Sequence, residues 1–198
     1  MQILLVIKKT MDDKESRKIH SDETTELPLT IKSQGIVYED DYKKIEKITA
    51  EFDGFSKDYF VSDFGEKAAV LVFRDNCVLL TRQYRLLINK LSYEVPGGKV
   101  NSGESPEEAA KRECFEETGV YCHTLKPLIT YDPDLEYTRN HTHVFYTNDI
   151  EKNQTQLLDK HEWLPFNDCL KMIEDEIITD SLSIITLMAY QLRIGRYR

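Results

Sequence analysis

Cysteine, proline and glycine are scarce in this chain, at 4, 6 and 8 residues in 198. Cys77, Cys114, Cys122 and Cys169 show no paired metal spacing and are too few for a disulfide scaffold. Reduced thiols in a cytoplasmic protein are the simplest expectation. No apolar run approaches the length that spans a bilayer, which speaks against a membrane protein. Met1 to Lys9 has a short apolar core with its lysines after it, so it reads as an N-terminal strand and not as a secretory leader. Basic residues are outnumbered, 26 against 35 acidic ones, for a net charge of −9. Surfaces that bind nucleic acid or anionic membrane need clustered Lys and Arg, so neither partner is expected.

Apolar residues make up 40% of the chain and aromatics 10%, enough for a real core in one domain or one domain with an appendage. Residues 10 to 29 are polar and read as a loop or mobile arm. Lys47–Phe52 and Tyr59–Phe64 flank Asp53-Gly54, a hairpin dipeptide, in a loop expected to exceed two residues. Lys67–Phe73 and Cys77–Arg82 form a clearer hairpin. Leu91–Val95, His143–Thr147 and the run through Trp163 are further strands. Asn167 is the expected cap of a short helix carrying Leu170 and Ile173. Ser181 opens a last helix with Ile184, Ile185, Met188 and Leu192 on its inner side. The pattern is α+β, a mixed sheet flanked by helices.

The stretch from Glu104 to Glu117 carries six glutamates. Ser105, Pro106 and Glu108 spell a helix start, and Gly119 a stop. Between them Glu113, Glu116 and Glu117 stand at i, i+3 and i+4 and share one face, with the small Ala109 on the same stripe. Like charges so placed repel, and a hard divalent cation with oxygen ligands offsets that repulsion. Arg112 beside them is a candidate internal counter-charge. A solvated acidic face is the plainer alternative, but it leaves Pro96-Gly97-Gly98 unexplained, a turn that brings bare backbone near a ligand.

Gly98, five residues, Glu104, seven residues, Arg112-Glu113, Cys114 in an apolar slot, Phe115, Glu116-Glu117, Thr118, Gly119 and Val120 resemble the Nudix box. Cys114 stands where an aliphatic residue is more usual, and a buried thiol packs as a small hydrophobe. The resemblance implies an α/β/α sandwich and magnesium-assisted hydrolysis of a nucleoside diphosphate linked to another group, with manganese as a substitute ion. It implies Glu113, Glu116, Glu117 and the backbone carbonyl of Gly97 as metal ligands, with Arg112 orienting them. Arg82-Gln83-Tyr84-Arg85 and Tyr93-Glu94-Val95-Pro96-Gly97-Gly98-Lys99 are similar to segments of ADP-ribose pyrophosphatases and nucleotide-sugar hydrolases. In that group a β-rich region before the box pairs two subunits. The resemblance therefore implies a homodimer, with residues 1–64 as the N-terminal β subdomain and its arm and 65–198 as the hydrolase domain.

Arg85 and Arg82 are the candidate clamps on the terminal phosphate, since guanidinium makes two-pronged contacts; exposed arginines at a strand end are the alternative. Glu94 supports the site or faces solvent. For the base that activates water, Glu151, Asp159, Glu162 and the box residue Glu116 all stay open, because spacing does not choose among them. His141 and His143 share a strand face as a metal pair or as ordinary polar residues. Tyr131, Tyr137 and Trp163 either stack on a base or fill the core. A nucleotide sugar, with ADP-ribose foremost, is the expected substrate. Dinucleoside polyphosphates, nucleoside triphosphates and binding without turnover are the alternatives.

Overall fold

A computed structural model describes residues 26–41, 43–151 and 161–195. The expected strand Met1 to Lys9, most of the arm and the candidate base Asp159 lie outside the described residues.

Two sheets organise the chain. The first is four-stranded, in the order β1 (Thr30–Glu39), β2 (Lys44–Phe52), β3 (Phe55–Asp63) and β9 (Thr138–Arg139). β1, β2 and β3 form an antiparallel meander, and β9 runs parallel to β3. The β2–β3 loop is only the two residues Asp53-Gly54, shorter than expected. Gly54 adopts φ +85°, and Phe52 pairs directly with Phe55, their rings stacked 4.7 Å apart. A left-handed glycine closes the hairpin at its minimum length, so both strands run further into the turn.

The second sheet follows the order β11 (His161–Pro165), β5 (Cys77–Arg85), β4 (Lys67–Arg74), β10 (Thr142–Thr147) and β8 (Lys126–Tyr131). β6 (Lys90–Glu94) adds to β5, and β7 (Gly97–Lys99) adds to β4. β4 and β10 are parallel; the other pairs are antiparallel. β4 is apolar almost throughout because it is buried on both faces. Ala68, Val70 and Val72 face α1 (Pro106–Thr118), through Ala109, Ala110 and Cys114. Ala69 and Leu71 face α2 (Phe166–Glu174) and α3 (Ser181–Gly195), through Phe166, Cys169 and Leu187. Helices on both faces of a mixed sheet give the α/β/α layering.

Two helix expectations need correction. Asn167 sits inside α2, which starts after Pro165 without a side-chain cap; the amide of Phe166 donates instead to Asn76 O at 3.1 Å. On α3 Ile184 packs against the core as expected, but the fully buried residues are Ser183, Thr186 and Leu187, while Met188 and Leu192 are exposed. A polar serine lies inside because the Val95 amide, between β6 and β7, donates to its hydroxyl. The first turn of α3 is capped by Asp180, which accepts the Ser183 amide at 2.8 Å.

Candidate active site

α1 begins as its sequence dictates. Ser105 accepts the Glu108 amide, Glu108 reaches back to the Ser105 amide at 2.8 Å, Pro106 takes the first turn, and Gly119 ends the helix at φ +72°. This fixes which residues face β7. A side chain on Gly98 would overlap the Glu113 carboxylate, and one on Gly97 would meet Ala69 Cβ at 2.6 Å and Ala68 O at 2.7 Å. Both glycines are therefore required by close approach: Gly97 by the sheet and Gly98 by the acidic helix.

Arg112 organises the outer glutamates. Its guanidinium grips Glu104 with two bonds at 2.8 and 3.0 Å, Glu113 at 2.7 Å, Glu116 at 3.2 Å and Lys99 O at 2.9 Å. Glu104 holds the guanidinium well above its ordinary value, with Glu113 adding to the effect, and Arg112 in turn lowers the Glu104 carboxyl. Glu113 is mostly covered, at 16% side-chain exposure, whereas Glu116 is open at 57%.

Glu117 lies on the inner side. It accepts the Gly97 amide at 3.1 Å and a bond from Gln83 Nε2. Burial pushes its carboxyl up, and the charges of Glu113 and Glu94 push the same way, against those two hydrogen bonds. Glu94 itself is buried and takes a two-pronged ion pair from Arg85, whose Nε lies 2.6 Å away. That pair holds the Arg85 guanidinium above its ordinary value.

Strand alternation separates the two candidate arginines. Gln83 and Arg85 point to the face of Glu117 and Glu94. Arg82 points the other way, with Glu162 at 3.1 Å and its guanidinium 5.2 Å from the Tyr93 ring. Arg82 and Glu162 therefore answer each other across β5 and β11 and do not converge on the glutamates, as a paired phosphate clamp or an adjacent base requires. Glu151 is also remote. It lines a cavity of about 810 Å³ with Phe73, Arg74 and Tyr190, at the opposite end of β4 from the glycine turn. That cavity is not where the carboxylates gather.

The donor set suits a hard divalent cation: carboxylate oxygens of adjacent turns around a glycine backbone, with the partly buried Glu117 carboxylate under like charge. Among the described residues no three His, Cys, Asp or Glu side chains already converge as a metal cage. Arg112 draws Glu113 and Glu116 to one side, and Glu117 turns to Gln83 and Gly97. Holding a cation means loosening those contacts.

His141 and His143 rest on Asp132 at 2.8 Å and Glu66 at 3.1 Å, as polar residues at a strand start do. Trp163 packs against the core beneath the Arg74 guanidinium, Tyr137 is exposed, and burial pushes the half-buried Tyr131 phenol up to about 12. Cys114 is fully buried, 3.8 Å from the Cys122 thiol, and fills its apolar slot as a small hydrophobe. The sequence carries one signal for Gln83, its two-residue offset from Arg85, which marks the shared face. Asp180 and Ser183 carried no signal beyond a helix start.

The family model of the NUDIX domain matches residues 63–181, more than half of the chain. A methanol dehydrogenase activator of Bacillus methanolicus is 28% identical over 70% of this chain and 78% of that protein. An ADP-ribose pyrophosphatase of Bacillus subtilis (strain 168) is 26% identical over the same shares. An ADP-sugar pyrophosphatase of Mus musculus is 39% identical, but over 33% of this chain and 31% of its own length. A solved structure described as an ADP compounds hydrolase superposes with a TM-score of 0.72 at 18% identity, covering 88% of this chain and 98% of that one. That likeness shows the shared fold.

Proposed function

The chain belongs to the NUDIX family, and on that premise we propose that it hydrolyses the pyrophosphate bond of a nucleoside diphosphate sugar, ADP-ribose foremost. The products are a nucleoside monophosphate and a sugar phosphate: one P–O bond breaks, and the oxygen of water replaces it. The observation that carries the reading is the acidic face of α1 seated on the Gly97-Gly98 backbone, with Arg112 tying Glu104, Glu113 and Glu116 together. The names of two relatives, an ADP-ribose and an ADP-sugar pyrophosphatase, support the choice of substrate.

Glu113, Glu116, Glu117 and the Gly97 carbonyl are the ligands in this reading. Magnesium bound there supplies neutralisation of the pyrophosphate oxygens and activation of the attacking water. Glu116, the most open of the three carboxylates, is the candidate to accept the water proton. Arg85, half-exposed above Glu94, is the candidate contact to a substrate phosphate.

Residues 1–64 and 65–198 act as two units in this reading, and the first pairs two copies of the chain. Among the described residues β1 is an edge strand exposed along its whole length, with Ile31, Ile36, Val37 and Tyr38 facing out. A homodimer is the expected species by light scattering; a monomer at concentrations well above any working level would remove the assignment. All four cysteines are free thiols, in keeping with a reducing, cytoplasmic setting.

The decisive experiment is product analysis after incubation with magnesium and, separately, ADP-ribose, GDP-mannose, a diadenosine polyphosphate and a nucleoside triphosphate. AMP and ribose 5-phosphate from ADP-ribose alone, abolished by chelator, are expected. Cleavage chiefly of another compound moves the substrate and keeps the chemistry. No turnover of any would favour binding without catalysis.

A further inference from the structure

Three consecutive residues, Val95, Pro96 and Gly97, are each held by a different element. The Gly97 amide donates to Glu117 of α1 at 3.1 Å. The Pro96 carbonyl accepts from Val70 of β4 at 3.1 Å. The Val95 amide donates to the hydroxyl of Ser183, in the first turn of α3, at 2.9 Å. Ser183 has no solvent exposure and Val95 only 3%. Water therefore does not satisfy that amide, and an unmade bond there carries the full desolvation penalty.

Ser183 is itself fixed. Its hydroxyl donates to Asp180 Oδ2 at 2.7 Å, and the same oxygen accepts the Ser183 amide at 2.8 Å. A hydroxyl has one proton and two lone pairs. Donating to Asp180 leaves a lone pair aimed at Val95, and the carboxylate strengthens that acceptor. Asp180 also acts on Arg85 and Tyr131, so its charge reaches the Glu94–Arg85 side of the site.

We propose that Ser183, braced by Asp180, is a positioning residue that sets the Gly97 carbonyl from the opposite layer of the sandwich. The proposal rests on the reading of Gly97 as a metal ligand. The backbone leading into that carbonyl is pinned from both layers, by α1 through Glu117 on the Gly97 amide and by α3 through Ser183 on the Val95 amide. Thr186, one turn along the same helix, supplies an internal control. It is equally buried, yet its Oγ1 has no hydrogen-bond partner among the described residues.

The test is Mn2+ affinity, read by electron paramagnetic resonance of the free ion, beside thermal melts of the chelated protein. Ser183→Ala is expected to weaken Mn2+ binding about tenfold, as loss of a ligand-orienting bond does. Thr186→Val is expected to leave the affinity unchanged. Asp180→Ala, which unbraces the hydroxyl without removing it, is expected to weaken binding about threefold, and it carries the test if Ser183→Ala does not fold. Affinity of Ser183→Ala (or, failing a folded protein, Asp180→Ala) equal to that of the parent overturns the proposal, whatever the melting temperature does. Glu117→Gln separates the two levels. If it abolishes Mn2+ binding while Ser183→Ala does not weaken it, the positioning role alone fails. If the parent binds no Mn2+, or Glu117→Gln binds like the parent, the metal reading fails and the positioning role with it.

Discussion

α1 and α3 lie on opposite faces of the sheet, and both reach the same glycine turn. α1 does so with charge, through Glu113 against Gly98 and Glu117 on the Gly97 amide. α3 does so with one buried hydroxyl, through Ser183 on the Val95 amide. The acidic helix wears its chemistry outward, between a complete capping box and a left-handed glycine. The other carries its polar groups inward, where they pass for core. The difference shows two ways of holding one turn: a charged face gathered by Arg112, and a buried hydroxyl whose bonds are complete.

Removing the charge of α1 is the hardest way to break this pairing. Glu117→Gln is expected to keep the fold and lose turnover on the order of a thousandfold, because several kcal/mol of charge stabilisation goes with the ligand. Steady-state kinetics at saturating magnesium check it, and parent-like turnover would refute it. Next come the two glycines, whose neighbours predict opposite failures. Gly97→Ala drives a methyl into Ala69 and the Ala68 backbone, which cannot give way. It is expected to cost about 1–3 kcal/mol of stability, read from denaturant midpoints. Gly98→Ala meets first the carboxylate end of Glu113, a side-chain tip and not backbone. Stability should change little, while a carboxylate displaced by about 1 Å costs on the order of a hundredfold in kcat. If both variants fail alike, the distinction between sheet packing and site packing is wrong.

How much was legible in the sequence follows the same division. The cap at Ser105, the triad and its arginine are local: residues three or four apart on a helix must be neighbours, so spacing alone predicts their contacts. β4 was legible for a related reason, since a continuous apolar run that size reads as a central strand. The contacts that failed to show are long-range. Glu162 meets Arg82 across 80 positions, and Ser183 meets Val95 across 88. Only the register of β5 with β11, and the packing of α3 on β6, decides those meetings. Arg82 and Arg85 looked like one clamp because they are close in sequence, yet an odd offset on a strand puts them on opposite faces. α3 was misread by the same logic. Its apolar residues surround it, so hydrophobicity alone did not select Ser183 and Thr186 as the inner face.

The smallest effect sharpens the comparison most, because it isolates the charge that α1 carries at Glu117. Burial and like charges raise the Glu117 carboxyl, so the folded state holds that proton more tightly than the unfolded chain does. The stability from that protonation is fully present below the ordinary carboxyl value of about 4.3 and is lost as pH rises through the raised folded value. Glu117→Gln is neutral at every pH and loses nothing. In chelator the melting temperature of Glu117→Gln, relative to the parent, is therefore expected to climb as pH goes from 4 to neutrality and then level off. The scale is about 2–4 °C per kcal/mol for a chain of this size. Saturating divalent cation is expected to reverse the order, since a ligand at about a hundred times its Kd adds some 2.7 kcal/mol to the parent alone. If the gap in chelator stays flat with pH, the partly buried carboxylate carries no such strain, and the case for a cation to relieve it falls with it.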